Sequence, residues 1–384
     1  MKTKKLIILI SVLFGLSMLI TAGTSIYVFF ATRSVPTEFN IQEPSTGEGT
    51  GYYRHCYEEL LPDEQKMYSV ILSAVYSMPE KIEVPSLEGG SFNKVFSALS
   101  YDNPDLFCMG TKSSLEQLDG KFYFVPEYTM TYEQFSAKLS EANKIASAIS
   151  STAVTYTSAY ERELYIHDYL VNHCTYSLTN ENKNDIYGCL VNGKASCEGY
   201  SRAFQYLLSA VGIDNRLVTG MATNTIGEYE GHMWNFLFLD DEGYFCDITW
   251  DDPSADGSIL RHTYFNVTTA EILKKHKDIV QSLPFCTDKT YNFFAYENCY
   301  FDTAEENALK ENLSNTVYAA RNRGYRCAEM AFDSSETLKS AVEAMFDKNM
   351  IFDVYNNAGI VIKNEDEGIY YSTDEDAFTV CLYF

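Results

Sequence analysis

The chain has 384 residues, long enough for roughly two or three domains, and its 46% hydrophobic content supports packed cores rather than disorder. Acidic side chains number 53 against 29 Lys and Arg, a formal charge of −24, which would repel nucleic acid rather than gather it. That excess suits solubility outside the cell and, as a weaker alternative, a preference for basic substrates such as cationic cell-wall peptides.

Lys2, Lys4 and Lys5 precede an uncharged, almost unbroken apolar run from Leu6 to Ala31, followed by Arg33. The run exceeds the ~20 residues that a bilayer core requires and the ~7–15 of a signal-peptide core. Residues 1–33 therefore read as an uncleaved signal anchor or transmembrane helix with the lysines on the cytoplasmic side and the globular part outside. The alternative is secretion after cleavage near Thr21-Ala22-Gly23. No cysteine lies in or just after the run, so a lipid-modified cysteine anchor has no support. Residues 34–51, rich in Pro, Gly, Ser and Thr without apolar period, read as a linker.

Residues 52–150 form an N-terminal α+β region by pattern, with helical spacing from Leu60 to Val75, a strand at "KFYFVPEYTM" and a helix from Phe135 to Ile149. No chemical motif falls there, which leaves packing or partner contact. The segment 151–302 opens with "ERELYIHDYLVN", where Leu164, Ile166, His167 and Leu170 recur at helical spacing. His167 and His173, six apart with Cys174 adjacent, fit neither a helical ligand pair nor a usual zinc spacing, and His167 reads as a packed helix residue. None of the ten cysteines forms a Cys-x-x-Cys pair.

A polar loop then leads to "GKASCEGYS", and Ala203, Phe204, Leu207, Leu208 and Val211 follow at helical spacing up to Gly212. Ser196 is placed as N-cap and Cys197 as the first helical residue. First-turn N–H groups lack intrahelical partners and carry partial positive charge, which favours thiolate over thiol and offers donors to a developing oxyanion. Lys194 lies close by in sequence. Next, "GHMWNFLFLDDEGYFCDITWDDP" reads as two strands joined by a tight acidic turn. With a two-residue loop at Asp240-Asp241, Asp247 falls opposite Trp234, and His232 shares that face one diagonal step away. A nucleophile at a helix start, a base on a strand and an orienting acid on its neighbour are the parts of acyl transfer. Taken singly, each has a plainer reading: a small buried thiol, a core imidazole, a strand-end carboxylate near Thr249. Asp251-Asp252-Pro253 reads better as a turn than as a cation site, and paired carboxylates are too common in this acidic chain to suggest a glycosidase. Residues 303–384 begin with helix-like "EENALKENLSNTVYAA" and continue as strand, helix and three strand-like runs, a small C-terminal α/β module.

The stretches "HDYLVNHCTYS", "YGCLVNGKASCEGYSRAFQYLLSAVGIDNRLVTG", "HMWNFLFLDDEGYFCDITWDDP" and "YFNVT" resemble the transglutaminase-like superfamily, papain-related thiol enzymes that include animal transglutaminases and many bacterial peptidase-like proteins. By that resemblance the fold class is α+β, a papain-like transglutaminase core with the appended regions just described. The family's nucleophile, histidine and aspartate fall on Cys197, His232 and Asp247, and Tyr187, with Asn192 behind it, is the candidate side-chain donor of the oxyanion hole. No metal or organic cofactor is implied for the core chemistry. The implied function is an extracytoplasmic protease or amidase acting on peptide, glutamine-type or cell-wall peptide bonds. A crosslinking transglutaminase, or a non-catalytic surface binding or scaffold protein of the same fold, is the alternative.

Overall fold

The computed structural model describes residues 53–87, 90–223, 227–252, 260–303, 305–360 and 369–384. The expected signal anchor and linker lie outside the described residues, and no described helix is long and apolar enough to cross a membrane. The chain divides into two compact units that interleave along the sequence. The first takes the described residues up to Ile166 together with Ser177–Asn235 and His276–Ser282; the second takes His167–Tyr176, Phe236–Lys275 and Leu283–Phe384.

In the first unit, helix α1 (Pro62–Val75) starts with proline at its first position, where the missing N–H costs nothing. The buried Glu64 carboxylate ties that start to the next helix by accepting from Leu61 N at 2.8 Å and Ser91 N at 2.7 Å. Met67, Ile71, Leu72 and Val75 recur at helical spacing and are buried. They join Val95, Ala98 and Leu99 of α2 (Phe92–Asp102) in one core. That core is closed by an antiparallel sheet of β1 (Ile82–Val84), β2 (Ser114–Leu118) and β3 (Lys121–Val125), with β3 central and Phe124 buried. Helix α3 spans Tyr132–Ala153, one turn longer at its start than apolar spacing predicts, because Thr131 and Gln134 form a reciprocal capping box.

Helix α4 (Ala159–His173) bears out the amphipathic reading and runs from one unit into the other. A short helix α5 (Ile186–Leu190) precedes α6 (Cys197–Ala210), which starts at the predicted thiol and ends at Gly212 with φ of 78°. The loop before α6 approaches it so closely that a Cβ on Gly199 would stand 2.3 Å from the Lys183 carbonyl oxygen, and one on Gly188 would stand 1.9 Å from that of Asn182. Strands β4 (Asn215–Thr223) and β5 (Tyr229–Leu239) follow, and β7 (His276–Lys277) pairs antiparallel with β4, Ala222 opposite His276.

In the second unit the end of β5 turns into β6 (Glu242–Cys246) through Asp240 and Asp241, both with positive φ, 47° and 68°. That is the two-residue turn expected from the sequence, with the twist a hairpin needs. A four-stranded sheet runs in the order β8 (Tyr300–Phe301), β9 (Cys327–Phe332), β11 (Thr379–Tyr383), β10 (Tyr371–Asp374), with β8 parallel to β9 and the other pairs antiparallel. Helix α7 (Glu306–Asn322) lies between β8 and β9 in the chain, and helices α8 (Ser335–Val342) and α9 (Met350–Asn357) follow one another between β9 and β10, one helix more than the sequence reading expects. Two of the three expected strand-like runs appear among the described residues, as β10 and β11.

Because backbone rather than a movable side chain meets the added methyl, Gly199→Ala and Gly188→Ala should each lower the unfolding free energy by about 1–3 kcal/mol. Urea unfolding of the two variants checks this, and an unchanged midpoint in either would show that the loop yields.

Candidate active site

Cys197 occupies the first helical position of α6 and is 1% exposed. Ser196 sits at the N-cap with extended φ and ψ, as the sequence suggests, but its side chain does not cap the helix. Its hydroxyl donates instead to the Lys183 carbonyl at 3.2 Å and to Asn184 Oδ1 at 2.7 Å, while its N–H donates to the same Lys183 carbonyl at 2.8 Å. The capping expectation fails for a physical reason: by donating to loop acceptors the hydroxyl is turned toward the loop, and its oxygen does not accept from the first-turn N–H groups. The consequence is that no serine oxygen covers the first-turn N–H groups beside the thiol.

Further along, α6 is fastened on two sides within its unit. Arg202 pairs with Glu198 and donates to Ser100 O at 2.6 Å, and Gln205 Nε2 donates to Tyr101 O at 2.9 Å, tying the helix to the end of α2. Ser201 Oγ donates to Met233 O at 3.0 Å and Asn235 Nδ2 returns a bond to Ser201 O at 3.0 Å, tying it to β5. Cys197 lies one helical turn before Ser201, and His232 is the residue before Met233, so the same clamp sets the backbone of both.

His232 is buried and stacks on Trp234, ring centroids 5.8 Å apart at 21°. His276 lies 5.6 Å from His232 and meets Trp234 edge-on at 4.8 Å. Sequence periodicity does not single out His276, because the strand that carries it has only two residues. The indole Nε1 of Trp234 is buried without a hydrogen-bond partner among the described residues, an unmet donor beside the imidazole.

Asp247, in the second unit, follows directly on β6 and is fully buried. Its Oδ1 accepts from Thr249 N at 3.1 Å and Trp250 N at 3.2 Å, and its N–H donates to Tyr264 O at 3.1 Å. These bonds fix the plane of the carboxylate. Tyr187 is placed differently from its expected role: its hydroxyl donates to Glu141 at 2.8 Å and Lys138 stands over its ring at 5.3 Å. The hydrogen bond to Glu141 raises the phenol above its ordinary range.

All ten cysteines are free. Burial, reinforced by Asp102, pushes the Cys56 thiol up to about 12, and burial pushes Cys108 up to about 12 and also raises Cys286, Cys299 and Cys381.

The second unit holds another buried polar cluster. His167 faces Asp168 Oδ1 through Nδ1 at 3.0 Å and Asp251 Oδ2 through Nε2 at 3.2 Å. His262 faces the same Asp168 Oδ1 through Nε2 at 2.9 Å and Glu329 Oε2 through Nδ1 at 2.7 Å. Burial opposes charge on His262, but Asp168 and Glu329 outweigh it and push the imidazolium up to about 10. Against the same burial, the two imidazoles hold Asp168 well below the usual carboxylate range, whereas burial pushes Asp251 up to about 6. The sequence reading of His167 as a packed helix residue is right about burial and silent about its carboxylate partners.

Residues 146–246 match the model of the transglutaminase-like superfamily, a span that contains Cys197 and His232 and ends one residue before Asp247. A solved TGase is 16% identical with a TM-score of 0.27, the likeness covering 44% of this chain and 50% of that one. A candidate cysteine protease from Cytophaga hutchinsonii is 11% identical with a TM-score of 0.25, over 36% of this chain and 61% of that one. For Legionella pneumophila LapG the values are 14% and 0.19, over 40% and 94%. The chain thus spans half the length of the TGase it resembles, and no curated protein matches it. A helix that opens on a thiol, followed by a strand that carries a histidine, lies within the matched span, and over residues 146–246 the chain is similar to the transglutaminase-like superfamily.

Proposed function

We propose that the chain is a thiol-dependent acyl-transfer enzyme acting on peptide or glutamine-type amide bonds, with Cys197 as nucleophile, His232 as base and Asp247 as the acid that orients it. The observation that carries this reading is the start of α6: a cysteine at its first position, with the N-cap hydroxyl turned away from the first-turn N–H groups.

In this mechanism Cys197 Sγ gives its proton to His232 and attacks the carbonyl carbon, and the carbonyl π electrons move onto oxygen. First-turn N–H groups of α6 receive that oxyanion, a role for which Tyr187 would first have to release Glu141. Collapse expels the amine, which takes the proton from His232, and leaves a thioester. Water then gives a proton to His232 and adds to the thioester; collapse expels the thiolate, which recovers that proton. An amine in place of water would give a crosslink. Hydrolysis is the preferred reading, on protein or cell-wall peptides outside the cytoplasm, with residues 1–33 as the membrane anchor. The near-complete burial of Cys197 favours a second reading, a binding or scaffold protein that keeps the fold without turnover.

Turnover of a peptide or glutamine-amide donor by the purified chain should fall on the order of 10⁶-fold in Cys197→Ala. In Asp247→Asn it should fall about 10⁴-fold, since the amide oxygen still accepts from Thr249 and Trp250 but cannot hold the imidazole in the same tautomer. Full turnover in Cys197→Ala would remove the proposal. Water or added amine in the product separates hydrolysis from crosslinking.

Iodoacetamide at neutral pH, with mapped adducts, should modify Cys197 first. Cys56 is the more exposed thiol, but it stays protonated until the pH nears about 12, so its adducts should grow only as the pH rises. Slow, uniform labelling with no preference for Cys197 would support the scaffold reading.

A further inference from the structure

We infer that His167, Asp168 and His262 form a binding site in the second unit for one divalent first-row transition-metal ion of the zinc class. Their donor atoms, His167 Nδ1, Asp168 Oδ1 and His262 Nε2, all lie within 4.8 Å of one another. Both nitrogens converge on the single oxygen of Asp168, at 3.0 and 2.9 Å. Small shifts bring all three to the ~2.0–2.2 Å that zinc takes from imidazole and carboxylate.

The surroundings are those of a metal centre with its supporting groups in place. A ligating histidine characteristically gives its other ring N–H to a carboxylate, which fixes tautomer and ring direction. Here Asp251 does this for His167 at 3.2 Å and Glu329 for His262 at 2.7 Å. The third ligand is held likewise, since Tyr325 donates its hydroxyl to Asp168 Oδ2 at 2.7 Å, leaving Oδ1 as the inward atom. Packing fixes the rings from their faces and edges: His262 lies flat on Phe293 at 3.8 Å and 3°, and His167 meets Phe265 edge-on at 5.0 Å.

Charge matches a dication. Every ring nitrogen of both histidines faces a carboxylate oxygen, so the cluster is rich in negative charge. A divalent ion between the two rings and Asp168 would place positive charge among these oxygens. They belong to the carboxylates of Asp168, Asp251 and Glu329, with Arg261 3.9 Å from the last. Two imidazole nitrogens and one carboxylate oxygen select first-row transition ions over magnesium or calcium, which take oxygen ligands. Water can complete the coordination where the Asp168 side chain keeps 18% exposure. The ligands and their supports come from α4, the turn after β6, the loop before Tyr264, and β9 with the residues leading into it, so the ion would clip four stretches of one unit.

The test uses the full chain, stripped with chelator and titrated with Zn²⁺ by calorimetry, then with Co²⁺ as a spectroscopic probe. One equivalent of Zn²⁺ should bind and raise the melting temperature, and Co²⁺ should give ligand-field bands without thiolate charge transfer. His262→Gln should abolish the stoichiometric site, and Glu329→Gln should keep it while weakening affinity about 10–100-fold. Should His262→Gln not fold, the wild-type spectrum and Glu329→Gln still decide. The inference is overturned if the wild type binds no Zn²⁺ while His262→Gln loses stability, which leaves a proton-bridged network only. Binding unchanged in folded His262→Gln, or a thiolate band that moves the ion to cysteine, overturns it equally.

Discussion

One carbonyl oxygen, that of Lys183, sets the start of the helix on which the candidate chemistry depends. It accepts both the N–H and the hydroxyl of Ser196, and it stands where any side chain at residue 199 would collide. The helix begins at Cys197, with a glycine two residues on, and its N-cap serine is drawn off toward the loop. The loop can hold that oxygen because it is ordered by its own polar side chains. Asn180 donates to Lys194 O at 2.6 Å, Lys138 reaches Asn182 at 3.0 Å, and Lys183 Nζ returns to Leu178 O at 3.1 Å. What reads in sequence as a featureless polar linker is the part that positions the thiol.

Local signals were legible and long-range choices were not. The span and end of α6 follow from apolar spacing and Gly212, and the hairpin follows from two adjacent aspartates at the only positions that need positive φ. These depend on residues within one turn of each other. The direction of the Ser196 hydroxyl depends on a loop 12 and 13 residues away, and Tyr187 finds Glu141 46 residues away. His167 and its carboxylate at Asp251 are 84 residues apart, so spacing rules for helical ligand pairs could not find them. The interleaving of the two units belongs to the same class: hydrophobic pattern marks elements, whereas only chain closure decides which unit an element joins.

The ten cysteines show how burial sorts one residue type into different chemistries. Five of the other thiols are held in the protonated form chiefly because a thiolate there would lose its hydration, and nearby carboxylates such as Asp102 and Glu329 deepen the effect at Cys56 and Cys381. Cys197 is as buried as most of them. Its place differs from theirs: Cys197 is the one cysteine at the first position of a helix longer than two turns.

The acidic balance of the chain gives the second unit a related problem, since two buried carboxylates, Asp251 and Glu329, and the partly buried Asp168 surround two buried imidazoles. Nitrogen–oxygen hydrogen bonds to both rings meet it in part, and a divalent ion would meet it with stronger directional bonds. The two solutions differ in what they ask of geometry. Proton bridges tolerate any pairing of nitrogen with oxygen, whereas an ion requires one donor from each ligand to point at one place and the other atoms to be held outside. Two ring nitrogens meet at Asp168 Oδ1, with Oδ2 and both remaining nitrogens engaged elsewhere, so each of the three side chains has one atom left on the inner side of the cluster.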